Sequence, residues 1–467
     1  MARSSEFRDS CARKVLDAAD IVRDALLKSA IHSTIAHRIM RERDFYIWEF
    51  LRTCMKTNLL SLVGSFLFAS FALSSVACPG QTGAQDNPPT QANASAESNI
   101  EVENWTKPQP GWLYVLDPKP EAGGPGGRIG LVDPETGKVM GSIRTGDGAD
   151  FALSPDGSRL YVASVIGGDS GDSEMAVVDT VKGVVLKSGN VGGRAVAEGL
   201  LPPFSTMAVS GDGLALRILI DTPASPDKDS FLLAAFDTSA GEFLPGTVHL
   251  RNCGPGRFIS YQAADHFDVF CPRTNRIRLI QADADSREIR NIDVVLPWER
   301  KDGVGEVIAI PGSQDIAIVR GDGGVVTMNV KTHDFGKTAA DPGLPNRIPP
   351  AAWPTSPEGS RVYLGHRNDY DHHNDSRFYL DYGRSPNIRP TNATADEFRV
   401  FDTSTWRKIG TIRTKMPFWS AVIGNDGKML YAMAPQKHSI LVIDTAKMRQ
   451  VRVLKIGGMP ALALVAP

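Results

Sequence analysis

Residues 151–188 read FALSPDGSRLYVASVIGGDSGDSEMAVVDTVKGVVLKS. Two patterns sit in this stretch. FALSPDGSRLYVAS places Asp156-Gly157 between two apolar runs, and such a pair is a strong hairpin signal because glycine tolerates the positive φ that tight turns need. AVVDTVKGVVLKS is an apolar strand ending in Asp179-Thr180, followed by a turn and a second strand. Together they make four short strands in one unit.

Working outward, both patterns recur. The Asp-Thr phrase appears as GLVDPETGKVMGSI at Asp133, AAFDTSAGEFLPGTV at Asp237, RVFDTSTWRKIGTI at Asp402 and LVIDTAKMRQVRVL at Asp444. Weaker copies lie near Asp283 and at Asn329. The hairpin phrase returns as MAVSGDGLALRIL, EVIAIPGSQDIAIV, PTSPEGSRVYLG and AVIGNDGKMLYAM, with RFISYQAADHFDVFC in the same slot without the glycine. Four strands at a period of about 42 to 60 residues is the signature of a β-propeller blade. The expected fold is all-β, a seven-bladed propeller over residues 111–467, preceded by a signal peptide and a disordered linker. The opening strand GWLYVLD has no hairpin partner before it and is expected to complete the last blade, which removes exposed sheet edges.

Upstream, Met55 begins MKTNLLSLVGSFLFASFALSSVACPGQ. A basic residue at Lys56, an apolar run from Leu59 to Leu73 and small residues at Ser75 and Ala77 are the parts of a secretory signal, residues 55–77. The run falls short of the roughly twenty residues a membrane-spanning helix needs. Cleavage after Ala77 leaves Cys78 first, which resembles the bacterial lipoprotein box whose cysteine takes the lipid; ordinary cleavage without acylation is the alternative. Residues 78–110 then read as a polar linker. Residues 1–54 read as an extension from a start codon set too early, with an amphipathic helix as the other reading. The expected location is the periplasm or cell envelope, with membrane attachment only through a lipid on Cys78.

Export changes how the cysteines are read. Of five, Cys253 and Cys271 are the pair within the propeller, and an oxidising compartment favours a disulfide between them. Closing that loop would stabilise by about 3 kcal/mol in the chain-entropy model.

The formal net charge of −2 gives no nucleic-acid footprint. The sequence contains no CxxC, HExxH or GxSxG, and GGPGGRIG lacks the strand-to-helix context of a phosphate loop. The chemistry-bearing exception is residues 366–398, HRNDYDHHNDSRFYLDYGRSPNIRPTNATADEF. Asp369, Asp371, His372, His373 and Asp375 are competent ligands for divalent metals, with a solvated loop as the plain alternative. Tyr370, Phe378, Tyr379 and Tyr382 suit a partner-binding surface, since loops on a rigid ring carry function and aromatics favour interface cores.

The Asp-Thr and Pro-Asp-Gly turns resemble the YVTN-type propeller repeats of exported bacterial proteins. The repeat order around Cys253 and Cys271, from FDTSAGEFLPGTVHLRNC to FCPRTNRIRLI, is similar to the heavy chain of methylamine dehydrogenase and related amine dehydrogenases. That resemblance implies a periplasmic scaffold without catalytic residues of its own. It would seat a light chain whose tryptophan tryptophylquinone oxidises an amine, with electrons passing to a redox acceptor protein. No cofactor is expected on this chain itself. The loop KPEAGGPGGR departs from the family, which places a phenylalanine near there. The alternative is a standalone YVTN-like propeller that binds a ligand or protein at the cell envelope; an autonomous propeller hydrolase finds no acid–base constellation in the sequence.

Overall fold

The computed structural model describes residues 99–118, 127–146, 149–165, 173–191, 194–195, 207–221, 231–250, 257–260, 267–273, 276–282, 288–297, 304–320, 324–339, 354–366 and 395–467. All lie in the compact unit 87–467; the expected signal peptide, Cys78 and the rest of unit 1–86 lie outside the described residues. Apart from one turn of 3-10 helix, Pro435–Lys437, the described elements are β-strands.

The strands follow the repeat. β1 (Glu101–Glu103), β2 (Leu113–Asp117), β3 (Arg128–Val132) and β4 (Val139–Arg144) belong to the first sheet. The second holds β5 (Ala149–Leu153), β6 (Arg159–Val165), β7 (Ser173–Asp179) and β8 (Val184–Asn190). The third has β9 (Arg194–Ala195), β10 (Met207–Val209), β11 (Ala215–Asp221), β12 (Phe231–Asp237) and β13 (Glu242–Leu250). The fourth is β14 (Arg257–Ser260), β15 (Phe267–Arg273), β16 (Arg276–Ala282) and β17 (Glu288–Val295). The fifth is β18 (Val304–Ala309), β19 (Asp315–Arg320), β20 (Val325–Asn329) and β21 (Phe335–Ala339). The sixth is β22 (Arg361–His366), β23 (Ala395–Asp402) and β24 (Lys408–Phe418). The seventh is β25 (Ser420–Ile423), β26 (Met429–Ala434), β27 (Ser439–Asp444) and β28 (Arg449–Lys455), after which β29 (Leu462–Val465) returns to the first sheet.

Every sheet is an antiparallel meander, and the fold is an all-β propeller. Six of these sheets have at least four strands; the sixth sheet has three, with a single bridge from Thr355 to Val362 at the place of its first strand. First strands of neighbouring sheets touch: β5 with β10, β10 with β14, and β25 with β29. β5, β10, β25 and β29 line an open pocket of about 440 Å³, with residues such as Phe151, Met207, Val422 and Leu464. Second and third strands are buried on both faces, which is why LYVLD, RLYVASV and SILVID are nearly continuous apolar runs.

Two sequence expectations need correction here. The strand GWLYVLD does not join the last sheet. Instead β29 pairs with β2, Leu113 opposite Val465, so the carboxyl-terminal strand completes the first sheet. The physical outcome is the same, because no innermost edge is left open there. The linker expected over 78–110 also ends before Asn99, because Ile100, Val102 and Trp105 give that stretch an apolar face. β1 pairs with β4 as a fifth, outermost strand, and Arg144 pairs with Glu101. Trp105 then packs against Tyr114 and donates its indole N–H to the Thr180 carbonyl at 2.7 Å.

Candidate functional site

The meander gives the propeller two unlike ends. At one end lie the turns from first to second strand and from third to fourth strand, which are the two repeated sequence phrases. The phrases are hydrogen-bonded to each other. Thr180, Thr238, Thr403 and Thr445 each donate their hydroxyl to the carbonyl of a turn glycine in the same sheet: Gly157 at 2.6 Å, Gly213 at 2.6 Å, Gly359 at 2.6 Å and Gly427 at 2.7 Å. The glycine at each of these sites has positive φ, from 69° at Gly157 to 75° at Gly213.

The repeated aspartates are occupied in the same turns. Asp179 accepts backbone N–H groups from Val181 and Lys182, and Asp237 accepts them from Ser239 and Ala240. Asp402 accepts from Ser404 and Thr405. These bonds favour the ionised form, so each carboxyl is held below its ordinary value: Asp179 chiefly by the Lys182 N–H, Asp237 by the Ser239 hydroxyl and Asp402 by the Ser404 hydroxyl. Recurrent acids at one end of a propeller suggest a catalytic ring, but here they serve as turn caps.

Each described third-to-fourth-strand turn also has one residue in the left-handed region, four positions after its Asp or Asn. Glycine supplies it at Gly137, Gly183 and Gly241, whereas His333, Trp406 and Met448 supply it in the last three sheets. The seams between sheets use this difference. Leu454 packs on Gly137, Trp105 on Gly183 and Lys187 on Gly241, while Met448 itself packs over Gly410 of the preceding sheet. One large and one small partner meet at each of these seams.

A second seam device runs through the tyrosines of the second strands. Tyr114 faces Thr180 of the next sheet, Tyr161 faces Thr238 and Tyr363 faces Thr445. Burial pushes all three phenols above their ordinary value, offset in part by these hydroxyls and, at Tyr161 and Tyr363, by a nearby arginine. For Tyr114 and Tyr161 the proximity falls short of hydrogen-bond geometry. At the last seam Pro134 replaces the threonine, and Arg452 donates instead to the Pro134 carbonyl at 2.6 Å and the Glu135 carbonyl at 2.5 Å. Asn425 and Ser420 of the seventh sheet donate to the carbonyls of Ala466 and Ala461, at 2.8 and 2.6 Å.

The opposite end carries the connections from second to third strand and from each fourth strand to the next sheet. The connection between His366 and Ala395 is the longest of the former. It holds every metal-ligating and aromatic candidate read from the sequence: Asp369, Asp371, His372, His373, Asp375, Tyr370, Phe378, Tyr379 and Tyr382 all lie outside the described residues. Cys271 is in β15, opposite Arg278, while Cys253 lies outside the described residues in the connection before β14. Among the described residues no group of three or more His, Cys, Asp or Glu side chains is placed to hold a metal. At this end Asp117 is buried, ion-paired with Arg128 at 3.3 Å and accepting the Met459 N–H at 2.9 Å. His438 Nδ1 is 2.6 Å from the Gly458 carbonyl.

No family model matches the chain, and no curated protein matches it. Among solved structures, the chain is similar to a "putative 6-phosphogluconolactonase" from Bacteroides uniformis, with TM-score 0.52 and 14% identity over 76% of this chain and 99% of that one. A protein of the same description from Bacteroides fragilis gives TM-score 0.50 and 14% identity over 76% and 98%. The dihydro-haem d1 dehydrogenase NirN gives TM-score 0.48 and 12% identity over 79% and 68%. At these identities the likeness establishes the propeller fold alone.

Proposed function

We propose that this chain is a noncatalytic propeller scaffold of seven blades, acting outside the cytoplasm, whose loop-bearing end seats a partner protein. One observation carries the reading: the acidic residues repeated through the sequence are consumed as caps at the turn end. Connections free to vary are therefore at the other end, with 367–394 the largest of its kind. The seven described sheets support the blade count, with Thr355 standing in the first-strand place of the sixth. The ties from Arg452, Asn425 and Ser420 support a closed ring.

The partner that the sequence resemblance names is the quinone-bearing light chain of an amine dehydrogenase, with a copper or haem protein as electron acceptor. In this reading the signal at 55–77 exports the chain, Cys78 anchors it, and a Cys253–Cys271 disulfide ties the connection before β14 to β15. Coexpression with a small cysteine-rich protein encoded beside this chain, and with its maturation proteins, tests the role. A stable complex that reduces a dye on addition of an amine supports it. A chain that purifies alone, with no amine-dependent reduction, rejects the dehydrogenase role.

The standalone binding module is the second reading. The two Bacteroides structures are matched over 99% and 98% of their chains, which fits a chain built of one propeller. Deleting residues 369–384 separates the insertion from the ring. An unchanged melting temperature with lost partner binding supports the loop-end assignment, and unchanged binding refutes it.

A further inference from the structure

On the flank of the propeller, reaching the turn end at Lys408 and Met448, the ribbon β23–β24 turns one face to the core and the other to a cleft. Phe398, Val400 and Ile412 fill the core side. On the other side, cross-strand register sets Glu397 opposite Arg413 and Arg399 opposite Thr411. Lys408 continues that face, and the turn at Met448 and Arg449 of the seventh sheet forms the far wall. The cleft is open to solvent and its volume is about 620 Å³, within the range of small-molecule sites.

The electrostatics of the cleft run against those of the chain. It holds four cationic side chains and one carboxylate, in a protein whose formal net charge is −2. Glu397 has a side chain only 6% exposed and sits against Arg399 at 3.1 Å, with Arg413 at 3.9 Å. The buried carboxylate fixes the direction of Arg399, which donates to it, while Arg413 stays exposed at the cleft mouth. Lys408 and Arg449 have no side-chain hydrogen bond or ion pair among the described residues, although both border the cleft. Cations gathered in one concavity repel each other unless an anion joins them.

The lining also limits the ligand. Among the described residues it contains no aromatic ring on which a base could stack, and Met448 is the one apolar side chain. The exposed Thr411 hydroxyl and the N–H groups of Arg413 and Arg449 offer hydrogen bonds to hydroxyls. We infer that this cleft binds a small hydroxylated anion, a sugar bearing a phosphate or carboxylate group. The inference does not depend on the scaffold reading, because the described lining of the cleft comes from β23, β24 and the start of β28 with its turn.

Titration calorimetry of the full chain at 150 mM salt (roughly the physiological ionic strength) tests it, with ribose 5-phosphate and glucuronate as probes and ribose as the neutral control. The expected result is saturable binding of at least one anionic sugar, none of ribose, and about tenfold or greater weakening in Lys408→Gln/Arg449→Gln. These two side chains are exposed and their removal should leave the melting temperature unchanged, so lost binding is read on a folded protein. Charge-retaining Lys408→Arg should bind like the parent. The phosphate probe binding without glucuronate assigns the ligand as a phosphate ester, and the reverse assigns a sugar acid. Absence of saturable binding by both, equal binding of ribose, or unchanged affinity in the double variant would overturn the inference. Inorganic phosphate binding as tightly as ribose 5-phosphate would overturn the sugar assignment.

Discussion

The seam between the sixth and seventh sheets offers a quantitative test of the large-against-small packing. A Cβ added at Gly410 would overlap the Met448 sulfur. Overpacking costs about 1–3 kcal/mol; because the clash is with the end of a flexible, half-buried side chain that can turn aside, Gly410→Ala should destabilise by about 1 kcal/mol, the low end of that range. Met448→Gly removes a half-buried side chain, worth about 1–2 kcal/mol if scaled down from the cost of a full Met truncation. It also relieves a left-handed non-glycine residue at φ 49°, returning about 1–2 kcal/mol. The single Met448→Gly change should therefore be nearly neutral. In the double variant the new methyl meets an empty space, and replacing glycine in a strand by alanine itself stabilises by about 0.5–1 kcal/mol. The double variant should then match or exceed the parent, with a coupling energy of about 1–3 kcal/mol. Urea unfolding followed by tryptophan fluorescence, with midpoints and slopes compared across the four proteins, measures it. Additive effects within about 0.5 kcal/mol would show that the seam does not depend on this pairing.

Other perturbations address the turn end. Thr180→Val and Thr238→Val keep the side-chain shape but strand the Gly157 and Gly213 carbonyls; each should cost about 1–3 kcal/mol, and loss of no more than a few tenths in a denaturant titration would reject the tie. The turn carboxylates are depressed in the folded state, so their contribution is present above the ordinary value of 3.8 and lost as pH falls from there through the lowered values. Asp237→Asn keeps an acceptor for the turn but cannot titrate, and should flatten the acid limb of a stability-against-pH curve; an unchanged slope contradicts the assignment. His333 is shifted the other way round the same logic: burial first, then Arg290, lowers it from 6.5, outweighing Asp334. The folded state thus favours the neutral ring, full stability holds above 6.5, and some is lost as pH falls toward the lowered value. His333→Asn, which tolerates the left-handed backbone, should remove that slope between pH 7 and 5 as read by thermal melting.

The alternation of two turn phrases was legible because the chemistry of a tight turn is local: Asp156-Gly157 and Asp179-Thr180 carry their own geometry. Their meeting was not legible, since Thr180 and Gly157 are brought together only by the pairing of β6 and β7. Glycine at 137, 183 and 241 hinted at a left-handed position, but His333, Trp406 and Met448 hide the same position behind bulky side chains. Closure was inferred with the wrong strand, because an apolar LALV near the carboxyl end has no turn signal to say which sheet it joins. The flank cleft was missed altogether. Glu397 and Arg413 become neighbours through strand register, and Arg449 joins them from another sheet, so no motif announces them. His372, His373 and the tyrosines around them stand out in the sequence by composition alone.

The first sheet borrows its inner strand from residues that follow it by most of the chain: Met459 bonds to Asp117 across 342 positions. During synthesis that sheet waits unfinished until β29 has emerged from the ribosome, so the ring snaps shut last at the place where it began. Loop-closure entropy grows only as the logarithm of length, so the delay burdens the rate of folding more than the final stability. A nick or truncation before Leu462 should therefore do more harm than an equally long cut elsewhere on the rim, because it unlatches both ends of the circle at once.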